Sequence, residues 1–446
     1  MQTPSCPPGS VEYRYNPKFS LTGGFLLPEI NTIASPVRKE CCTMNHKLWQ
    51  QAYDRLFAIY GEDPPEQCLR RLEAEQQALE PTDAIQVFTV LGKLQAEAKR
   101  QNTVIIAAGT IGSSFAAWLM GATVVNPLVP HYLCPRCGKA EFIPQVKDGF
   151  DLPPKNCACG AAFTTEGHRI PYQGFVSAAL EGLQTRIYTS TAFHPIAVRI
   201  VKAFYRDTAL FLPVEKKSSQ PVSWEEYIVC PEPGHSPPIS SQGIWETNDL
   251  EYMLWYEGET TYIFDVSPQL DRLEKLGKAT HVPLPQRQDL LQPLTLRAHR
   301  PSLPPGFPED LPITCDTLMR IDALTRSAGA WTENGAALVR YRIADFWDIP
   351  AFREDIWNTL EDLLSRQDYP NSTVPLRVME RVRKGRYRDW EDRQELETVL
   401  LDFGLPGWYL LCLTNIQFLF PKAHGVQQFL ADLACTWYRL HHPHCF

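Results

Sequence analysis

Two closely spaced cysteine pairs constrain this chain more than any other feature of its sequence. Cys134 and Cys137 are separated by two residues, Cys157 and Cys159 are separated by one, and a glycine follows each pair. Two tight turns that together supply four thiolates match the tetrahedral coordination of zinc in structural sites. The sequence therefore predicts a structural zinc ion, whose four sulfur ligands leave no open position for catalysis.

The second cysteine pair leaves alternatives to this zinc site open. A single intervening residue, Ala158, is too short a spacer for the usual zinc knuckle, so His131 or His168 is a candidate to complete the site. The other interpretation is that the four cysteines are unconnected core thiols. Several further cysteines stand singly in apolar surroundings, which is typical of reduced thiols in a reducing compartment.

The composition is that of a soluble globular protein. A chain of 446 residues with 44% hydrophobic residues can bury a substantial core, in two or three domains. The first residues lack the features of a secretory signal, and the longest apolar run, Trp408–Phe420, is too short and too polar to span a bilayer, so we expect a cytoplasmic protein. The net charge of −8 argues against nucleic-acid binding over the whole surface but allows a local basic groove.

Periodicity and proline content divide the chain into segments of different character. Helical spacing starts at Asn45, strand-like and helical patterns alternate through the middle, and helical patterns dominate beyond Ile313. The predicted segments are a loose N-terminal arm at 1–44, a mixed α/β domain at 45–280 with a linker-like stretch at 213–243, a proline-rich linker at 281–312, and a mainly helical domain at 313–446. The predicted fold class is therefore mixed α/β.

Several stretches resemble the PolC-type bacterial DNA polymerase III alpha subunit. "VNPLVPHYLCPRC" and "GFDLPPKNCACG" are similar to the zinc ribbon that this family inserts into its polymerase palm, which places the ribbon at 131–165. "AYDRLFAIYGEDPPEQCLRRLEAE" resembles the helices before the palm, and "VMERVRKGR" and "FPKAHG" resemble the fingers. The resemblance covers roughly Asn45–Arg206 and Asp345–Phe446. It implies a truncated chain with a nucleotidyltransferase-like palm, an inserted zinc ribbon and helical fingers.

The resemblance also implies where the polymerase chemistry would lie. In the family three aspartates hold two magnesium ions that activate the primer hydroxyl and neutralise the leaving pyrophosphate. Anchored on His194, two of these positions fall on Gln184 and Arg186, and the third falls on Glu274. Arginine is a permanent cation without a lone pair for a metal, and one glutamate cannot hold two ions in register. We therefore expect a chain that lacks the catalytic aspartates and is inactive as a polymerase.

A glycine–serine turn is similar to the palm motif that cradles the phosphates of the incoming nucleotide. Its residues are Gly109, Thr110, Gly112, Ser113 and Ser114. The family has a basic residue before this turn, where the present chain has Ala108. The backbone amides at the start of the following helix could still bind an anion. The alternative is simple close packing between strand and helix.

The candidate DNA contacts form a basic run near the C-terminal end, together with the lysine of "FPKAHG". They are Arg377, Arg381, Arg383, Lys384, Arg386, Arg388 and Lys422. Such side chains contact phosphates without reading base sequence. A solvated helix face is the alternative explanation for a run of this kind.

Three functions compete at this stage. The first is a non-catalytic module that binds DNA, as primer–template or single strand, or docks on a replication polymerase. The second is an active nucleotidyltransferase, which requires magnesium and metal ligands that have moved to other acidic residues. The acids near the relevant segments are Glu181, Asp207, Glu259, Asp265 and Glu274. The third is a decaying copy whose fold persists without a selected function.

Overall fold

The described part of the chain is a mixture of helices and two β-sheets. The computed structural model describes residues 36–80, 82, 84–172, 184–205, 210–216, 223–230, 245–246, 260–299, 303, 305–367 and 373–445. Most of the linker-like stretch at 213–243 lies outside these residues, as do residues 1–35 of the predicted arm. The mixed α/β class predicted from the sequence is confirmed.

The helices occur before, between and after the strands. In chain order they are α1 (Pro36–Tyr60), α2 (Glu66–Leu79), α3 (Ala84–Arg100), α4 (Phe115–Leu119), α5 (His194–Tyr205), α6 (Pro268–Thr280), α7 (Arg287–Leu290), α8 (Pro293–Ala298), α9 (Cys315–Arg326), α10 (Ala336–Arg340), α11 (Arg353–Ser365), α12 (Val374–Val382), α13 (Arg393–Asp402), α14 (Gly407–Asn415) and α15 (Lys422–His441). The first helix begins within the segment predicted to be a loose arm, and two short helices, α7 and α8, lie in the proline-rich stretch 281–312.

The strands fall into a larger and a smaller sheet. They are β1 (Ile106–Ala107), β2 (His131–Leu133), β3 (Ala140–Phe142), β4 (Thr164–Glu166), β5 (Gln184–Thr189), β6 (Leu210–Lys216), β7 (Ser223–Cys230), β8 (Trp245–Glu246) and β9 (Thr260–Val266). The described strands of the larger sheet have the order β1-β5-β9-β7-β6-β8, and the smaller sheet has the order β3-β2-β4.

The register of the larger sheet sets which residues share a face. Strands β5 and β9 are parallel, with Tyr188 opposite Asp265 and Ile187 opposite Phe264. Because side chains alternate along a strand, Ile187 and Phe264 point to one face, where they join the core formed by α1 to α5. Arg186 and Asp265 project from the other face.

A second core lies among the helices after α6, and α15 connects it to the larger sheet. Trp331, Phe352 and Leu413 are fully buried in this core. Helix α15 reaches β1 through Gln427, whose side-chain amide accepts from the N–H of Ala107 at 3.2 Å and donates to its carbonyl at 2.9 Å. The larger sheet and the helices of the last third are therefore in direct contact.

Candidate metal centre and nucleic-acid surface

The four cysteines predicted as zinc ligands come together beside the smaller sheet. Their sulfur atoms all lie within 4.8 Å of one another, with Cys134 Sγ 3.4 Å from Cys159 Sγ and Cys137 Sγ 3.6 Å from Cys157 Sγ. Four sulfurs bonded to zinc at about 2.3 Å stand roughly 3.8 Å apart in a tetrahedron. The cluster therefore fits a tetrahedral zinc ion.

Both cysteine pairs lie on turns closed by backbone hydrogen bonds. The N–H of Gly138 donates to the carbonyl of Cys134 at 3.0 Å, and the N–H of Gly160 donates to that of Cys157 at 2.9 Å. The shorter second pair thus still forms a turn. Gly138 has a φ of +72°, and a Cβ there would lie 2.5 Å from the backbone nitrogen of Gly61, so the first turn requires glycine.

The crowding of the four thiols shifts the pKa values of Cys134 and Cys137 in opposite directions. Burial alone would raise the pKa of Cys134, but the N–H groups of Cys137 and Arg136 outweigh it and lower this pKa to about 6. The N–H of Lys139 lowers the pKa of Cys137, but the neighbouring thiols outweigh that effect and raise the pKa to about 11. Adjacent thiolates repel one another unless a cation stands between them, and zinc would supply that charge.

Neither histidine considered as a replacement ligand points at the cysteine cluster, so that alternative is wrong. His131 contacts Tyr60 Oη through Nε2 at 3.1 Å and the Val129 carbonyl through Nδ1 at 2.7 Å. His168 Nδ1 lies 2.9 Å from Asp148 Oδ2. Both rings are buried, and the described side chains that converge as a possible metal site are the four cysteines without either histidine.

Gln184 and Arg186, which the resemblance aligns with two aspartates of the family, lie on β5, and Arg186 is on the face of the larger sheet away from the α1–α5 core. Arg186 Nη1 lies 3.8 Å from Asp265 Oδ2 of β9, and both side chains are partly exposed. Gln184 lies opposite Thr261 of β9. The negative charge of Asp265 therefore balances the positive charge of the Arg186 guanidinium.

Glu274 does not lie on a strand of this sheet. It is in helix α6, where its carboxylate accepts a hydrogen bond from Ser190 Oγ and pairs with Lys278 one turn later. Its alignment with the third aspartate of the family stays a prediction. In the described part of the chain, the one group of three or more metal-binding side chains that converges is the cysteine cluster. Glu181, Asp207 and Glu259 lie outside the described residues.

The glycine–serine turn comes directly after β1 and lies beside Arg186. The N–H of Ala108 donates to the Arg186 carbonyl at 2.8 Å, and Thr110–Ser113 form a single 3-10 turn before α4. The structure thus places the turn next to Arg186.

The start of α4 already holds an anion, which belongs to the chain itself. The buried carboxylate of Glu75 accepts from the N–H groups of Phe115 at 2.8 Å and Ala116 at 2.9 Å, and from Ser114 Oγ at 2.7 Å. Arg71 Nε completes the cluster at 2.6 Å from Glu75. The amides expected to receive a nucleotide phosphate are therefore taken. Nothing in the spacing of α2 distinguished Glu75 from a surface residue.

Close packing explains the glycine in the middle of the turn. A Cβ at Gly112 would lie 2.0 Å from the Cβ of Ala423, in the first turn of α15. Only glycine lets the helix approach so near. The packing alternative considered from the sequence accounts for this position.

The basic run forms α12 and the turn that follows it. Arg377, Arg381, Lys384, Arg386 and Arg388 are exposed, and Arg383 is half-buried. Glu380 pairs with Arg383 at 2.6 Å and with Lys384 at 3.6 Å, and Asp392 pairs with Arg377 at 3.1 Å. Among the described residues, Arg381 and Arg386 have no acidic side chain within ion-pair distance.

Lys422 differs from the other predicted DNA contacts because it is buried. Its Nζ lies 3.3 Å from Asp148 Oδ2, and its backbone N–H donates to Glu354 Oε2 at 2.8 Å. A buried lysine that is already paired with a carboxylate is not available to a phosphate at the surface. The prediction that Lys422 contacts DNA is therefore corrected by its position.

No helix in the described ranges is both long enough and apolar enough to cross a membrane.

Residues 45–181 match the family model described as the bacterial DNA polymerase III alpha NTPase domain. The chain is 25% identical to the PolC-type DNA polymerase III of Clostridium perfringens, in an alignment that covers 88% of this chain and 32% of the relative. It is 24% identical to that of Staphylococcus saprophyticus, over 92% of this chain and 33% of the relative. It is also 25% identical to the PolC-type DNA polymerase III of Streptococcus mutans, over 89% of this chain and 32% of the relative.

The comparisons confirm the resemblance drawn from the sequence motifs. The chain is similar to PolC-type DNA polymerase III along most of its length. It spans about a third of the length of these relatives.

Proposed function

We propose that this chain is a catalytically inactive, polymerase-derived module that acts in DNA replication by binding DNA or by docking on a replication polymerase. The observation that carries the loss of catalysis is Arg186, which lies beside the turn after β1 and pairs with Asp265 at 3.8 Å. A divalent ion about 4 Å from a guanidinium is repelled by roughly 2 kcal/mol in water and by more in a partly buried site. Asp265 also loses capacity as a metal ligand while it balances Arg186.

Retained binding is supported by the basic run. Exposed arginines without an acidic partner, Arg381 and Arg386, are free to neutralise phosphates, and phosphate contacts supply most of non-specific DNA affinity. The proposed zinc ion has a structural role, since it would fix the β2–β3 hairpin to the loop that carries Cys157 and Cys159. Magnesium is required only if catalysis persists.

Fluorescence anisotropy at low salt with single-stranded and primed DNA tests the DNA-binding arm. We expect micromolar or tighter binding that weakens as salt rises, because bound cations release counterions from the DNA. Arg386→Glu should weaken binding, whereas the matched charge reversal Arg70→Glu, at an exposed site on α2, should not. If both variants bind DNA as the wild type does, or if both lose affinity equally, the basic run is not the DNA-binding surface.

A pull-down with the host's replication polymerase tests the docking arm. Retention of that polymerase on immobilised wild-type chain, in the presence of nuclease, would support direct docking. If the chain neither binds DNA nor retains the polymerase, the proposed function is wrong.

A second candidate is an active nucleotidyltransferase with relocated metal ligands. Asp265 favours it, because this carboxylate shares a face and a partner strand with the former aspartate positions. Primer extension with Mg²⁺ or Mn²⁺ decides between the two. Extension by the wild-type chain that disappears in Asp265→Asn would establish the active candidate and overturn the inactive one.

A further inference from the structure

A row of aromatic rings leads from the surface near the basic run to the former catalytic face of the larger sheet. The ring centroids of Phe418 and Phe420 are 4.8 Å apart, and those of Phe420 and His424 are 5.7 Å apart with nearly parallel planes. His424 in turn lies 5.8 Å from Tyr188, which is two residues after Arg186 on β5. No motif in the sequence indicated this row.

The outer end of the row is held rigidly by backbone contacts. The carbonyl of Ala328 accepts from the N–H groups of both Gln417 and Phe418, at 2.9 and 3.1 Å. Two glycines with positive φ also pack closely against residues 415–417. A Cβ at Gly329 would lie 2.2 Å from the Asn415 carbonyl oxygen, and a Cβ at Gly385 would lie 2.8 Å from the Gln417 carbonyl oxygen. Phe418 is therefore presented on fixed backbone, with 42% of its surface exposed.

The same contacts place cations beside Phe418. Gly385 belongs to the basic turn between Lys384 and Arg386, and it touches Gln417, the residue before Phe418. Arg388 Nη2 donates to Asn415 Oδ1 at 3.3 Å. An exposed ring thus stands next to exposed arginines on one surface.

We propose that this surface binds single-stranded DNA, with an unpaired base stacked on Phe418 and the adjoining phosphates held by Arg386 and Arg388. The proposal rests on the proposed function and narrows its ligand from DNA in general to unpaired DNA. Flat rings beside cations suit single strands, since every base has a π-face and stacking tolerates any base sequence. In a duplex the base faces are already stacked on one another and are not available to Phe418.

The inner rings extend the path towards β5. Burial and the nearby Arg326 lower the pKa of His424 to about 4, so its ring is neutral at physiological pH and packs against Phe420 as an aromatic surface. The strand would run from the basic turn over Phe418 and Phe420 towards Tyr188. At the inner end of this path, Arg186 would contact a phosphate of the DNA strand. The arginine that replaces a metal-binding aspartate of the family would then have a role in DNA binding.

The test compares binding of a short oligothymidylate and of a blunt duplex to the full chain by fluorescence anisotropy. Phe418→Ala should weaken binding of the oligothymidylate about tenfold, the loss expected when one stacked base is removed, and should leave duplex binding unchanged. Phe57→Ala is the matched control, because Phe57 on α1 is also 42% exposed, and it should change neither affinity. Phe418→Trp should restore binding, which separates stacking from misfolding.

The outcomes distinguish this inference from the proposed function. If the chain prefers the duplex, or if Phe418→Ala binds the oligothymidylate as the wild type does, the stacking surface is wrong while DNA binding stands. If the chain binds no DNA of any kind, both the stacking surface and the DNA-binding arm of the proposed function are wrong, and only the docking arm is left. Equal affinity for oligouridylate would overturn the restriction to DNA.

Discussion

Lys422 and Asp148 form an ion pair that ties the last long helix to the segment bearing the cysteines. Lys422 Nζ lies 3.3 Å from Asp148 Oδ2, and both side chains are buried. Asp148 also lies 2.9 Å from His168 Nδ1 and accepts from the N–H of Phe150 at 3.1 Å. This carboxylate therefore joins Lys422 to His168 and to the backbone of its own segment.

Replacing Asp148 with asparagine should destabilise the protein strongly. The lysine would remain buried without its counter-charge, and breaking a buried pair in this way costs about 3–5 kcal/mol of unfolding free energy. Urea denaturation followed by tryptophan fluorescence measures the loss. Glu66→Gln breaks the exposed Arg70–Glu66 pair and is the control, with an expected loss below about 1 kcal/mol. Similar small losses in both variants would contradict the importance of the buried pair.

The same carboxylate should make stability depend on pH in the acid range. Burial would raise the pKa of Asp148, but the neighbouring His168 and Lys422 outweigh it and lower the pKa well below the ordinary value of 3.8. A depressed pKa means that the unfolded state binds the proton first, so the contribution is complete above that ordinary value and is lost as the pH falls below it. Denaturation midpoints measured from pH 6 downwards should fall more steeply for the wild type than for Asp148→Asn. Parallel curves would contradict this assignment.

The chain should bind one zinc ion through its four cysteines. Metal analysis of protein purified without added zinc should give one equivalent, and removal by a strong chelator should lower the melting temperature, because metal binding is coupled to the folding of such sites. Cys157→Ser should lose the ion. Cys445→Ser, at a partly exposed cysteine far from the cluster in sequence, should keep it. Retention of zinc by Cys157→Ser would show that the contracted pair is not a ligand pair.

Restoring the family's acidic residues should create a metal site on the larger sheet. In Gln184→Asp with Arg186→Asp, two carboxylates would share the face of Asp265, which suits Mg²⁺ or Mn²⁺. We expect the double variant to bind Mn²⁺ in electron paramagnetic resonance titrations and the wild type not to bind it. Gln184→Asn with Arg186→Asn is the control, because it removes the cation without adding carboxylates. Binding by this control would mean that Arg186 alone blocked an existing site.

Glu75→Gln should destabilise the turn that leads into α4. The glutamine oxygen can replace one acceptor but leaves Arg71 without its ion pair and one donor unpaired, at a cost of about 3 kcal/mol or more. Thermal denaturation measures this loss. Glu73→Gln, on the same helix, is the control and should have little effect. If added inorganic phosphate restored the melting temperature of Glu75→Gln, the amides would still be open to external anions.

The features that could be predicted from the sequence were those with a local pattern. The spacing of the cysteines predicted their cluster. The occupancy of the α4 amides by Glu75 and the burial of Lys422 could not be predicted, since each depends on a partner far away in sequence. The alignment of Glu274 with the third aspartate of the family stays a prediction, because it rests on a short motif outside the well-matched stretches.

The hydrogen bonds between Gln427 and Ala107 have a consequence for folding during synthesis. Strand β1 has two residues, and its backbone groups are paired by a side chain 320 positions further along the chain. Closing so long a loop is slow and entropically costly, and it must wait until α15 has left the ribosome. Until α15 has been synthesised, the newborn chain therefore lacks this partner for β1, and the edge of the larger sheet is where a chaperone would protect it.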